Sequence, residues 1–254
     1  SGNVAQWLGL PRLVGPYILA ILTLTLATIV ISLFLKPDPY LSAMKALPIA
    51  AQNQAKMATM DTLKIIATMP IALFAIASIA IGHVVMVSVM VMTPVHMAHV
   101  NDTLTIIGIV ISIHVAGMYS LSPVVGYFSD SLGRIRVIQI GVAILLIATV
   151  VAGRSPGENA VSLGIGLFLL GLGWSCTLIA GSALLSESVS EAMLLSTQGA
   201  SDLLMTLMGA LGGAMAGVIF AILSYGWLWA VAAVPGFLLC CWSLPLSCPL
   251  GPHV

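Results

Sequence analysis

The sequence predicts an all-α membrane protein with seven transmembrane helices, and two observations carry that expectation. Of its 254 residues, 60% are hydrophobic and 6% charged, and the mean hydropathy is +1.15. A soluble domain carries about 25% charged residues, so lipid rather than water must surround most of this chain. The apolar residues also fall into continuous runs that reach the roughly 20 residues a bilayer core requires. Such runs lack the period-two alternation of a membrane barrel, and a backbone in lipid must close its own hydrogen bonds, which leaves the helix.

Polar or Gly/Pro-rich joints divide the runs into spans near Val14–Leu35, Ile65–Met92, Leu104–Val125, Ile135–Ala152, Val161–Leu185, Thr197–Leu223 and Trp227–Leu246. The joint after the first span carries Lys36, Lys45, Lys56 and Lys64; the joint after the third carries Arg134 and Arg136. If the spans alternate, these two joints share a side, and the opposite side holds only Arg12 and Arg154. Basic residues mark the cytoplasmic side. The expected topology in the inner membrane therefore starts outside and ends in the cytoplasm with Ser247–Val254. The segment Lys36–Lys64 is too short for a soluble domain and has room for at most an amphipathic interfacial helix. Ser1–Leu10 lacks the basic and apolar regions of a signal peptide, and the chain has no initiator Met. A fragment, a processed chain or a shortened expression product is expected.

The composition also argues against several functions. Eight basic and eight acidic residues cancel, which removes the electrostatic case for nucleic acid. Cys176, Cys240, Cys241 and Cys248 have neither metal-ligand spacing nor the pattern of a disulfide framework, and read as small hydrophobes. There is no Gly-rich phosphate cradle and no His-Glu-x-x-His. No enzyme, cofactor or metal is expected.

The joint after the third span reads Gly126-Tyr127-Phe128-Ser129-Asp130-Ser131-Leu132-Gly133-Arg134-Ile135-Arg136. It resembles the loop motif of the major facilitator superfamily: Gly, three residues, Asp, two residues, then Gly-Arg and a further basic residue. Here the last basic residue is displaced by one, to Arg136. Met90–Met97, Ser112–Met118, Gly171–Trp174, Gly181–Leu185 and Gln198–Asp202 look like a drug-efflux-like bacterial branch of that superfamily.

The resemblance implies helices 6–12 of a 12-helix fold. Residues 1–35 would be the last helix of the N-terminal bundle, 36–64 the cytoplasmic inter-bundle loop, and 65–254 the C-terminal six-helix bundle. It further implies secondary active transport of a small molecule by alternating access, proton-coupled and directed to efflux. A truncated or non-transporting scaffold, needing the missing N-terminal helices or a second copy, stays open beside it. By the same resemblance Gly126, Asp130, Gly133, Arg134 and Arg136 form a gating latch. Read from the residues alone, Asp130 just beyond a helix end and Arg134 opening the next can pair, or can serve as a turn with a positive-inside anchor.

Within the spans, Asp202 is the most informative ionisable residue, because a carboxylate at membrane depth costs about 2.5–3.5 kcal/mol on insertion scales. At helical spacing it shares a stripe with Thr206, Gly209, Gly213 and Gly217, and those glycines would admit a close helix neighbour. Coupling and structural bridging are both open. His83 and His114 can carry protons or contact substrate, or can be imidazoles satisfied within the bundle. His114 lies opposite Gly108, Ser112, Ala116 and Ser120; a packing seam through those small residues would turn it towards a cavity. Trp174, set among glycines, stacks on a ligand or packs. His96 and His99 fall with Asp102 in an outer joint, Glu187 and Glu191 in a solvated one, and Trp227 and Trp229 read as interfacial anchors.

Overall fold

The computed structural model describes residues 14–38, 58–99, 103–155, 159–223 and 225–247, with positions 9, 42, 45 and 48 besides. Arg12, Lys56, Asp102 and Cys248 lie outside the described residues. The chain divides into two compact units, Ser1–Gln54 and Ala55–Val254. In the first, α1 spans Gly15–Phe34 and carries Pro in its opening turn, where a missing N–H breaks no helical bond.

The second unit contains α2 (Thr59–Ile66), α3 (Pro70–His99), α4 (Leu104–Tyr119), α5 (Ser122–Leu132), α6 (Arg134–Arg154), α7 (Ala160–Ser188), α8 (Glu191–Ile222) and α9 (Tyr225–Ser247). Seven stretches among the described residues are long and apolar enough to cross a membrane, with α4 and α5 counted together as Leu104–Leu132. The all-α, multi-pass membrane architecture expected from composition is the one found.

The boundaries moved for local reasons. The second span starts at Pro70 rather than Ile65; Ile65 and Ile66 end the separate helix α2, which buries Thr62 and Ile66 and pairs Lys64 with Asp61 at 3.0 Å. At its other end α3 runs through Pro94 to His99, so His96 and His99 are helical rather than in a loop. The third span breaks between α4 and α5. Pro123 has no N–H to give the carbonyl of Tyr119, and its ring crowds that carbonyl, so α4 stops there. Asn159 accepts from Ser162 N at 3.0 Å and starts α7, while Thr103 does the same for α4 through Ile106 N.

Within the second unit, α7 packs against α6, α4, α3 and α5. Small residues make that possible. A Cβ on Gly173 would lie 2.8 Å from the carbonyl oxygen of Gly141, and one on Gly171 would lie 2.5 Å from the carbonyl oxygen of His114. Helix backbones this close gain van der Waals contact that bulkier side chains would prevent. One buried cluster joins Ile66, Phe74, Val125, Ile138, Leu185 and Leu239, with Trp242 edge-on to Phe74 at 5.5 Å. A second joins Val85, Val110, Leu145, Leu167, Leu170 and Trp174.

Candidate functional site

Two polar constellations stand out in the second unit. The first sits where α5, α6 and α7 end or begin. Gly133 has φ +96°, a conformation glycine adopts without the Cβ penalty, and it turns the chain directly from α5 into α6. Asp130 lies in the last turn of α5, not beyond the helix as its sequence position implied. Arg134 is the first residue of α6. Its guanidinium donates to the carboxylate of Asp130, to Ser129 Oγ at 3.1 Å, and to Glu187 Oε1 through Nε at 3.1 Å and Nη2 at 2.9 Å. Three helix ends thus meet on one planar cation, whose fork of donors suits two carboxylates at once. Arg136 is exposed and forms no ion pair among the described residues. Nothing among the described residues lies within 4 Å of where a Cβ on Gly126 would be, so no neighbour crowds that position.

The second constellation lies between α3 and α7, with Trp174 buried and His83 half-buried. Trp174 on α7 donates its indole N–H to Nδ1 of His83 on α3 at 3.1 Å. Gly209 on α8 backs the imidazole: a Cβ there would sit 2.5 Å from Cδ2 and 2.7 Å from Nε2. The Tyr119 ring meets Trp174 edge-on at 6.2 Å. Four helices converge on the His83–Trp174 pair.

His114 is placed differently from the cavity-facing reading. It is buried, with Ile107, Val110 and Gly117, on the face of α4 that meets α7, and its Nδ1 donates to the carbonyl of Leu167 at 2.7 Å. The small residues opposite it are the exposed ones. Ser112 and Ser120 bond carbonyls of their own helix, Gly108 at 2.8 Å and Ala116 at 2.5 Å, and need no partner helix. Asp202 is about three turns into α8, because that helix starts at Glu191 rather than Thr197. It stands on the exposed face with Leu203 and Leu207, and Thr206 Oγ1 donates to its backbone carbonyl at 2.8 Å. The close seam of α8 runs through Gly209 and Gly212, the latter facing Val84 and Ser88 of α3, while Gly217 has no neighbour within 4 Å. Among the described residues no group of three His, Cys, Asp or Glu is placed to hold a metal ion.

The family model of the Major Facilitator Superfamily matches residues 84–250. The chain belongs to the major facilitator superfamily. Two curated Bacillus subtilis proteins are similar to it: the uncharacterized MFS-type transporter YdeG, 38% identical over 88% of this chain and 52% of that protein, and the uncharacterized MFS-type transporter YddS, 36% identical over 94% and 55%. The chain spans about half the length of these relatives. No solved structure matches it.

In this major facilitator chain Glu187 is exposed, as its joint implies, and sequence reasoning missed its pairing with Arg134. It missed the cluster at the C-terminal end of α3 as well. His96 stacks flat on Tyr225 with ring centroids 4.1 Å apart, and the Tyr225 hydroxyl shares a hydrogen bond of 2.9 Å with Thr93 Oγ1. Nearby, Arg154 lies over the Trp229 ring at 5.9 Å from its centroid, so Trp229 has a cationic partner within the protein. Histidine spacing along α3 was the available signal; its aromatic partners come from α8 and α9, far along the chain.

Proposed function

We propose that this chain is the second half of a secondary transporter, with the last helix of the first half attached, which moves a small molecule across the inner membrane by alternating access. On this reading residues 1–35, 36–64 and 65–254 are the last helix of the first bundle, the cytoplasmic loop and the second bundle. The N-terminus is outside and the C-terminus cytoplasmic. A proton gradient drives efflux, with Asp202, His83 and His114 as the titratable groups at membrane depth and Trp174 beside one of them.

The observation that carries the reading is the Arg134 cluster. A cation shared by the ends of α5, α6 and α7 holds one arrangement of those ends and costs two charge-assisted contacts to open. That is the behaviour a latch between two access states requires. The two similar proteins are named as transporters, which supports the same class. The deciding experiment is flux in proteoliposomes of the full-length protein under an imposed pH gradient. Substrate movement that follows the gradient and collapses with an ionophore is expected; flux indifferent to the gradient would refute the coupling.

A second reading rests on the span of about half its relatives' length. One six-helix bundle does not enclose a central path, so the chain would act as a scaffold that needs the other half or a second copy. Detergent-resolved mass separates the two: a defined dimer or a complex with the first half supports transport, and a lone monomer without flux supports the scaffold.

A further inference from the structure

We infer that the His83–Trp174 pair is a proton-operated contact between α3 and α7: it exists only while His83 is neutral, so a proton arriving at His83 must part the two side chains. The inference rests on the proton-coupled reading above and identifies the group that converts protonation into movement.

The argument begins with donors and acceptors. An indole nitrogen can only donate, so the 3.1 Å contact requires Nδ1 of His83 to be the acceptor. Neutral His83 therefore carries its proton on Nε2. A second proton can enter only at Nδ1, and imidazolium is a donor at both nitrogens. Two N–H groups would then point at one another across the contact. Trp174 cannot change roles, as a hydroxyl or a carboxamide could, and the hydrogen bond has to break.

His114 makes the opposite case within the same bundle. Its Nδ1 meets a backbone carbonyl, which can only accept, so Nδ1 carries the proton in the neutral ring. A second proton enters at Nε2, which is buried and has no hydrogen-bond partner among the described residues. His114 can thus be protonated with its one hydrogen bond intact. Of His83 and His114, only His83 has a contact that protonation must destroy.

The surroundings direct the response. The ring is already seated against the α8 backbone at Gly209, so it cannot withdraw that way. Trp174 is also in a T-shaped contact with the Tyr119 ring. Relief therefore requires α3 and α7 to shift, or Trp174 to turn at the expense of its contact with Tyr119. No charged side chain among the described residues faces the ring; Trp174 comes from α7 and Gly209 from α8. The nearest titratable groups on those helices are Cys176, which is buried against Gly141 of α6, and Asp202, two turns from Gly209 on the exposed face. From α4, Tyr119 reaches Trp174 rather than His83. Nothing there offers a carboxylate that would hold the imidazolium in place.

The test uses full-length protein in lipid nanodiscs, with ring-labelled histidine and fluorotryptophan read by magnetic resonance across the neutral pH range. In the neutral form His83 should carry its proton on Nε2, and the Trp174 signal should change with the same midpoint as His83. Removing the donor with Trp174→Phe should raise the His83 midpoint by about one pH unit, the scale of one hydrogen bond to the neutral form, and leave His114 where it was. A neutral His83 protonated on Nδ1, a Trp174 signal that ignores the His83 titration, or an unmoved midpoint in the variant each overturns the proposal. If Trp174→Phe does not assemble, the two wild-type signals decide alone. Linked titration without gradient-driven flux would refute the transport reading and leave the switch standing.

Discussion

Arg134, the first residue of α6, places two of its N–H groups on one oxygen of Glu187, 53 residues further along the chain at the end of α7. The same guanidinium binds Asp130 at the end of α5. The family motif supplies Asp130 and Arg134, but its geometry in this chain is completed by a residue outside the motif. Because the two carboxylates are largely exposed, each arm is screened by solvent and contributes modestly.

A double-mutant cycle on Arg134 and Glu187 should therefore give a coupling of about 1 kcal/mol, shrinking as salt is added. Arg134→Lys should recover little of it, since an ammonium cannot span both carboxylates as a fork does. Thermal unfolding in detergent at two ionic strengths measures both effects. Zero coupling would reduce the cluster to an orientation anchor.

Gly209 and Gly217 should respond oppositely to alanine. A methyl group at 209 collides with the His83 ring, so Gly209→Ala should destabilise by about 1–3 kcal/mol. Gly217 has open space, and Gly217→Ala should be neutral or gain up to about 1 kcal/mol from helix propensity. Equal losses at both positions, measured by equilibrium unfolding in mixed micelles, would contradict the seam described for α8.

Asp202→Asn should abolish the response of flux to a pH gradient while leaving the amount of protein in the membrane near the wild-type level. Its side chain lies on the exposed face of α8 and holds no other helix of this unit in place, so removing the charge should not weaken the fold. Parallel loss of flux and of folded protein would instead identify a bridging role.

At the C-terminal end of α3, Tyr225→Phe keeps the stack on His96 but removes the hydroxyl that meets Thr93, and should cost about 1 kcal/mol. His96→Ala removes the stack itself and should cost at least as much. Unfolding midpoints for the two variants check the order.

The span pattern was legible because lipid imposes it: a run such as Val161–Leu185 can satisfy its backbone in no other way. What joins helices was not. Small residues were read as packing seams, yet Ser112 and Ser120 satisfy themselves on their own carbonyls and face outward, while the actual α4 seam contains a histidine. On α8 the stripe Gly209–Gly213–Gly217 follows a spacing of four, whereas the closest approaches are at Gly209 and Gly212, with Gly213 in ordinary contact with Val87 and Gly217 open. Which of two adjacent stripes meets a neighbour depends on how the helices cross, and a single helix's pattern does not contain that angle. Glu187 was hidden for a similar reason, since its partner lies in a different joint.

The interruption at Pro123 has a mechanical meaning. In an unbroken span any bend must stretch or sever a rung of the backbone ladder. Here one rung, from residue 123 to Tyr119, is missing by covalent structure. The first segment, α4, is gripped by α7, where Gly117 and Gly171 let the two backbones nearly touch, while the lower segment, α5, carries in its last turn the aspartate bound by Arg134. The span is thus a two-part lever with its pivot built in, and swinging the lower arm sacrifices the Arg134 contacts without unwinding the helix above.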